Sequence, residues 1–584
     1  MPLALLDSHS LADPLAASAS DRSPSAVSHP ALAPVVVLKF GGSLLHSPAE
    51  IPAVVSEIYR HVRHGQKVVA VVSAFAGETD RLLAEARFLG APHENDLAPA
   101  YVSLGEVRSA ALTAVACDRA GLSVVALTVR ELGIVAAGPS HSAHPVALND
   151  GRLREALAAH EVVVVPGFGA VDASGRVSLL GRGGSDLTAV YLAAELGLDR
   201  VRLLKDVDGL YDHDPADGSR PVLRFSKASW DDAIEMGGVL VQPNAVETAR
   251  ARGVEIEVAA LGRAAETVIG DRGEAPVPVT KRRKLTVAVA GFGVVGGGVI
   301  ARLLANPDVD VVGVLVRDVN KPRDVAVDPA LLTQDADALL ALKPHLLVEA
   351  LSDGSAGHAL ILKALSSGVD VVSANKQAIS LDVAALHQQA RDHDARLLYS
   401  AAVGGGSPMI ETLRRARAAG PVAGFEAVLN GTVNFMLDRL SQGDGFDAAL
   451  DAAKRAGFAE EDSSSDLEGL DAAAKVRLLA FEAFGAAPEA EAIARDVLGP
   501  DLVPAGPVRQ ISVCRRDGEA LSARVGLDAD PSDALFLDLN GERNALKVYG
   551  EDGRVWRCRG RGAGRWPTTE SVLADVGDIL RLRI

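Results

Sequence analysis

Cysteine is scarce in this chain, and its scarcity removes several classes of protein at once. The three cysteines, Cys117, Cys514 and Cys558, stand far apart in 584 residues. They offer neither a disulfide framework nor the close pairs of a metal site, and a reduced, cytoplasmic setting is expected. Aromatic residues are few, at 4%. Positive charge is short too, and a formal net charge of -17 argues against nucleic acid or anionic membranes as partners. No apolar run reaches the roughly 20 residues of a membrane span. Residues 1–33 are rich in Ala, Ser and Pro and lack the basic start and solid apolar run of a signal peptide. A disordered lead-in is expected there. The length allows about two to four domains with large cores.

What is present is organised by strand ends. Val35-Val36-Val37-Leu38 reads as a buried strand running straight into Lys39-Phe40-Gly41-Gly42-Ser43. Further strands are predicted at Lys67–Val72, with Ser73-Ala74 and Thr79 beyond, and at Val162–Val165, ending at Pro166-Gly167-Phe168-Gly169. Helical stretches at Glu50–Val62 and Leu187–Leu196 alternate with them. That pattern predicts an α/β sandwich on a mostly parallel sheet, where ligands bind just past the strand ends. A lysine beside paired glycines lets backbone N–H groups approach a phosphate while the ammonium supplies charge. Leu180-Gly181-Arg182-Gly183-Gly184-Ser185-Asp186 then opens a helix, whose N-terminus favours anions. Arg182 can grip a carboxylate through two hydrogen bonds. Singly, these motifs read as a tight turn and a plain helix cap; at strand ends of one domain they read as a site.

These residues resemble the amino-acid kinase family, and within it the aspartokinases, over about residues 35–262. Lys39 to Ser43 matches the family's Lys-Phe-Gly-Gly-Thr/Ser, and Ser73-Ala74 with Thr79 matches its Ser-Ala…Thr. Gly105-Glu106 and Gly167-Phe168 match two further elements, and Leu180 to Asp186 is unbroken. The resemblance implies that Thr79, Glu106, Phe168 and Arg182 surround aspartate, with Lys39 on the transferring phosphate. It implies ATP with Mg2+ at Lys39, Gly41, Gly42, Ser43, Ser185, Asp186, Lys205, Asp206, Tyr211 and Asp214. The nucleotide side departs from the pattern: Lys205 replaces a threonine, and Val239 replaces the lysine that contacts ATP. Lys205 is read as taking over the lost charge. The rival reading is a catalytically inactive kinase fold kept as a ligand-binding or assembly module.

Beyond Val254–Leu261, residues 265–284, through Gly270-Asp271-Arg272-Gly273 to Lys284, read as a linker of about twenty residues without strand pattern. Aspartokinases usually carry paired regulatory ACT domains at this point, so a kinase without threonine or lysine feedback is implied. Leu285–Ala290 is a predicted strand entering Gly291-Phe292-Gly293-Val294-Val295-Gly296, with a helix through Leu304 and a second strand at Val311–Val316. A lone GxGxxG is weak, but between strand and helix it is a dinucleotide fingerprint. Arg317 stands where an NAD site wants an acid, which suits the 2′-phosphate of NADP; Asp318 beside it leaves NAD open. Ser352 follows the strand His345–Val348, and Asn375-Lys376 follows Val369–Val372, facing the cofactor cleft. Gly457–Lys475 is an acidic loop, with Glu460 and Asp466, feeding a helix from near Leu470 that sets Asp471 and Lys475 on one face. Alone that is an ordinary surface ion pair. With surplus carboxylates on a packed helix, it suits orienting an amine and a hydroxyl while moving a proton.

Together with Asn430-Gly431-Thr432, this half resembles the homoserine dehydrogenases over residues 285–584. The resemblance implies hydride transfer between NADP and the aspartate semialdehyde–homoserine pair. Lys376 and Lys475 would polarise the oxygen and pass the proton, and Asp471 would orient Lys475. Glu460 would hold the substrate ammonium, with Asp466 beside it, and Gly431-Thr432 would seat the carboxylate end. A sodium ion on the backbone carbonyls of Val403 and Gly405 is implied as well, although Ser400 replaces the family's glutamate. The whole chain thus resembles fused aspartokinase–homoserine dehydrogenases of threonine and methionine biosynthesis, acting on aspartate, aspartate semialdehyde and homoserine as a homodimer or higher homo-oligomer. The expected domains are a lead-in (1–33), the kinase (34–264), a linker (265–284), a Rossmann domain (285–408) and an α+β catalytic and dimerisation domain (409–584).

Overall fold

The computed structural model describes residues 33–89, 96–215, 220–236, 240–279, 283–459, 462–504, 506–528, 533–539, 541 and 543–583. Residues 1–32 of the expected lead-in lie outside them, as do Val239 and Glu460. Residues from Pro34 onward form one compact unit. Among the described residues no helix is long and apolar enough to cross a membrane.

The first layer is an eight-stranded sheet. In spatial order its strands are Lys227–Ser229, Thr267–Gly270, Glu255–Ala260, Arg200–Lys205, Val35–Phe40, Lys67–Val72, Val162–Pro166 and Val124–Ala126. The valine-rich runs are buried on both faces, as a central parallel sheet covered by helices requires. Val35–Phe40 pairs in parallel with Lys67–Val72 on one side and Arg200–Lys205 on the other. Helices Ile51–Arg63 and Leu104–Arg119 pack on one face and Gly184–Glu195 on the other.

The stretch expected as a linker is not one. Thr267–Gly270 returns antiparallel along Glu255–Ala260 and pairs in parallel with Lys227–Ser229. Val277–Pro278 pairs with Leu223–Phe225 in a small second sheet. Thr267 and Ile269 are fully buried, but a four-residue strand is too brief for an alternation to stand out.

The second layer is a six-stranded parallel sheet in the order Leu332–Thr333, Val309–Leu315, Leu285–Ala290, Leu346–Glu349, Asp370–Ser373, Leu397–Leu398. The third is a mainly antiparallel sheet centred on Val422–Val428, with helices Met409–Ala419 and Leu470–Phe484 against it. One apolar core runs through both, from Leu347 and Ile379 by way of Val476 and Leu479 to Phe425 and Val548.

The boundary expected at 408 is crossed again at the end of the chain. Helix Arg565–Arg583 returns to the dinucleotide sheet, where Val572, Val576, Ile579 and Leu580 share a core with Leu285, Val287 and Val299. That i, i+4, i+7, i+8 spacing is the apolar stripe of a helix seeking a partner face. Ala574, on another side of the same helix, joins the core of the kinase sheet with Val55, Ile58 and Tyr59. The last helix therefore ties the dinucleotide layer to the kinase layer.

Candidate active sites

The kinase-like half gathers its predicted aspartate-side residues around one cavity of about 580 Å³, lined by Lys39, Thr79, Glu106, Phe168, Arg182 and Asp186 among others. Gly42 and Ser185 also line it. Register explains the lysines: Phe40 pairs with Leu204, so the ends of two parallel strands bring Lys39 and Lys205 to one place. Helix Gly184–Glu195 supplies Asp186 between them, at 2.6 Å from Lys39 Nζ and 2.8 Å from Lys205 Nζ. Burial pulls the Lys39 ammonium down to about 8 against the raising effect of Asp186, and Lys205 adds to the lowering. Burial pushes Asp186 up, but the two ammoniums outweigh it and hold its carboxyl below the usual range. Glu106 accepts from Ala74 N at 3.4 Å through one oxygen, while the other has no partner. Burial pushes this carboxyl up to about 7.

Phe168 holds a φ of 69°, a left-handed conformation that is costly for a bulky residue and common where a site is pre-organised. Its N–H donates to Thr188 Oγ1 at 3.2 Å and its carbonyl accepts from Leu180 N at 2.8 Å. A Cβ at Gly184 would stand 2.6 Å from the Phe168 ring, so only glycine fits there. Gly41 lies over Lys39, since a Cβ would be 3.1 Å from Nζ.

The nucleotide-side residues divide. Lys205, Asp206 and Tyr211 line a second cavity of about 560 Å³, walled also by Arg302 and Arg581 of the other half. Burial, and then the Asp208 carboxylate to which it donates a hydrogen bond, push the Tyr211 phenol up to about 12. Ser43 and Asp214 are exposed and line neither cavity.

In the second half the glycines behave as a dinucleotide fold requires. Gly291 has a φ of 103°, and a Cβ there would stand 2.4 Å from Ala350 O. A Cβ at Gly296 would stand 2.1 Å from Gly291 O. Gly293, preceding helix Val294–Leu304, has open space where its Cβ would be, the approach a pyrophosphate needs. Arg317 Nη2 donates to Ser352 Oγ at 2.9 Å, and the Arg323 guanidinium lies 5.0 Å from the centre of the Phe292 ring. The residues present fit a dinucleotide.

Lys376 and Lys475 meet on Asp471. Lys376 opens helix Lys376–Leu381 of the dinucleotide layer and donates to Asp471 Oδ1. Lys475 lies 2.9 Å from Asp471 Oδ2 and donates to Leu429 O at 2.7 Å. Burial pushes Asp471 up, but Lys475 and Lys376 hold it well below the usual carboxylate range. Asn430 Nδ2 donates to Asp466 Oδ1 at 2.7 Å and to Asp471 Oδ2 at 2.9 Å, while its Oδ1 caps helix Gly431–Ser441. Thr432 spends its hydroxyl on Phe458 O at 2.6 Å, so only first-turn N–H groups of Gly431 and Thr432 are left for a ligand.

A chain similar over this region is a homoserine dehydrogenase of Synechocystis. It is 33% identical over 316 residues, covering 50% of this chain and 73% of the relative. The chain belongs to the homoserine dehydrogenase family. Models for homoserine dehydrogenase and for its NAD-binding domain match residues 408–576 and 291–400. A homoserine dehydrogenase structure from Thiobacillus denitrificans is 27% identical, with a TM-score of 0.46, covering 51% of this chain and 74% of that one. The amino acid kinase family model matches residues 34–260. An aspartate kinase of Pseudomonas fluorescens is 35% identical over 232 residues, covering 38% of this chain and 55% of the relative. The chain spans about half the length of the aspartokinases it matches. It is an enzyme that joins a kinase-like half to a dehydrogenase half.

Two site residues are given no role by the sequence. Asn430 enters only as part of the Asn430-Gly431-Thr432 motif, yet it ties Asp466 to Asp471. Glu349 is fully buried, accepting from Ser373 Oγ at 2.6 Å, Leu351 N at 2.9 Å and Asn375 Nδ2 at 3.1 Å. It thereby fixes the loop that presents Asn375 and Lys376. Its signal was an acid ending an otherwise apolar strand.

Proposed function

We propose that the dehydrogenase half interconverts L-aspartate 4-semialdehyde and L-homoserine with NADP, and that the kinase half phosphorylates L-aspartate with ATP. The observation that carries the first reading is the Lys376–Asp471–Lys475 bridge, built from two layers of the fold. Gly291 to Gly296, Asn375 and Lys376 would hold the dinucleotide, with Arg317 and Ser352 toward the 2′-phosphate. When bound, it supplies the hydride at the aldehyde carbon. Lys475 and Lys376 polarise the substrate oxygen, and one of them gives it a proton. Asp471 keeps both ammoniums charged and aimed; Asp466 and Glu460 attract the substrate ammonium. A sodium ion at Val403 and Gly405 would have only backbone dipoles to hold it, because Ser400 gives its N–H and hydroxyl to Asp575.

For the kinase half, the carrying observation is the single cavity joining Lys39 to Thr79, Glu106, Phe168 and Arg182. Arg182 would take the α-carboxylate and Glu106 the ammonium, leaving the side-chain carboxylate toward Lys39. Lys39 and Lys205 would neutralise phosphate charge, with Mg2+ carried by the nucleotide. A cytoplasmic homo-oligomer completes the reading.

The experiment is aspartate-dependent ATP turnover with aspartyl phosphate trapped as its hydroxamate, on the wild type and on Lys39→Ala, beside NADP-dependent homoserine oxidation. Trapped product that vanishes in the variant establishes both activities. Homoserine oxidation without trapped product leaves the kinase fold as a binding or assembly module.

A further inference from the structure

A cluster of deeply buried charges outside the two sites lies where the halves meet. Arg63, the last residue of helix Ile51–Arg63 in the kinase half, is only 2% exposed. Its Nη2 lies 2.6 Å from Glu411 Oε1, 2.6 Å from Asp575 Oδ1 and 3.4 Å from Asp578 Oδ2. The same nitrogen donates to Ser400 Oγ at 3.5 Å, while Nε and Nη1 make no hydrogen bond. Asp575 accepts from Ser400 N at 3.0 Å and Ser400 Oγ at 2.9 Å. One turn earlier on the kinase helix, Tyr59 donates to Gly406 O at 3.0 Å.

These contacts converge on residues 400–411, the crossing from the dinucleotide layer to the substrate layer. Lys376 lies on one side of that crossing and Asp471 on the other. Glu411 and Asp575 are almost inaccessible to water, and two such carboxylates cannot both stay ionised without a cation. Arg63 is that cation. The groups facing the pair are Tyr59 and Arg63 on the kinase helix, Arg414 and Arg415 on helix Met409–Ala419, Cys558 on strand Val555–Arg561, and Asp578 on the last helix. Arg414 is committed to Glu482 at 2.8 and 3.0 Å, and Arg415 donates to Thr412 Oγ1 at 2.9 Å.

We propose that Arg63 is a positioning residue for the dehydrogenase: its charge, supplied by the kinase half, holds the 400–411 crossing closed so that Lys376 reaches Asp471. The proposal rests on homoserine dehydrogenase activity and is independent of whether the kinase turns over.

The test uses the full chain as wild type, Arg63→Met, Arg63→Lys and the triple variant Arg63→Met/Glu411→Gln/Asp575→Asn. Each is assayed for kcat and KM of homoserine oxidation from about pH 6 to pH 9, relative to wild type at the same pH. Arg63→Met is expected to lose about tenfold or more in kcat at the alkaline end, with KM for homoserine little changed. Part of that loss returns at the acid end, where one carboxylate of the pair takes up a proton. Arg63→Lys keeps most of the activity, because every contact ends on one nitrogen. The triple variant restores kcat and flattens the profile, and millimolar guanidinium rescues Arg63→Met. Wild-type kcat in Arg63→Met at every pH overturns the proposal, as does a loss that neither charge removal nor guanidinium recovers. If Arg63→Met fails to fold, the triple variant decides by the same criterion. A wild type that oxidises no homoserine defeats the underlying reading instead, before any variant is made.

Discussion

Each half of this molecule buries an aspartate between two lysines, and the two clusters differ in where the lysines come from. Asp186 meets Lys39 and Lys205 from neighbouring strands of a single sheet. Asp471 meets Lys475 one turn along its own helix and Lys376 from the dinucleotide layer. The first cluster is set by strand register, so it is as rigid as the sheet, and its side chains keep only 4–9% of their exposure at the cavity wall. The second exists only while the dinucleotide and substrate layers are held together. Its lysine side chains keep 14% and 24% of their exposure, enough for a substrate to reach them. In the proposed function, one arrangement of charges serves as a fixed electrostatic clamp in one place and as an accessible proton relay in the other.

The comparison breaks most visibly at the relay. Lys475→Ala is expected to lower kcat for homoserine oxidation by about 10²–10⁴-fold if this residue passes the proton; steady-state rates near wild type would remove it from the chemistry. The clamp predicts a smaller, one-sided change. Lys205→Thr should raise the KM for ATP by about 10–100-fold, the worth of a hydrogen bond to a charged group, and leave the KM for aspartate alone. Equal changes in both constants would assign Lys205 to packing.

Acidity sharpens the comparison further. Burial favours the neutral amine of Lys39, so its ammonium is present below about 8 and lost above it. kcat/KM for ATP should therefore fall as pH rises through about 8, by at most about tenfold per unit. Glu106 titrates near 7 and holds the substrate ammonium only as a carboxylate, so the KM for aspartate should fall as pH rises through that value. A kinase profile flat from pH 6 to pH 10 would argue that neither group meets a ligand. The smallest effect is expected from Thr432→Val. Its hydroxyl serves Phe458 O, so about 0.5–1.5 kcal/mol of stability should be lost in urea unfolding. KM for homoserine should stay within about twofold; a large rise would return the hydroxyl to the substrate.

Much of both halves was legible in local pattern. Val35–Phe40 and Leu285–Ala290 are apolar runs ending in glycine, and the helix carrying Asp471 and Lys475 begins at Leu470 as its spacing indicates. The misjudged stretches share a cause. Thr267–Gly270 is a short strand whose partner, Glu255–Ala260, decides its existence, and helix Arg565–Arg583 carries apolar residues on several faces because it packs on several layers. A residue's own neighbours in the chain do not record such partners.

The sequence by itself determined the chemistry of each half: which lysines, acids and glycines are available, and on which strand ends and helix starts they stand. Local backbone preference and apolar periodicity suffice for that, since both act within a few residues. Only the tertiary structure decided that Asp471 takes a lysine from the dinucleotide layer, that Asn430 ties Asp466 to it, and that Arg63 neutralises two carboxylates of the other half. Those pairings depend on charges brought into a dry interior from distant parts of the chain, where burial makes an unpaired carboxylate too costly to leave alone.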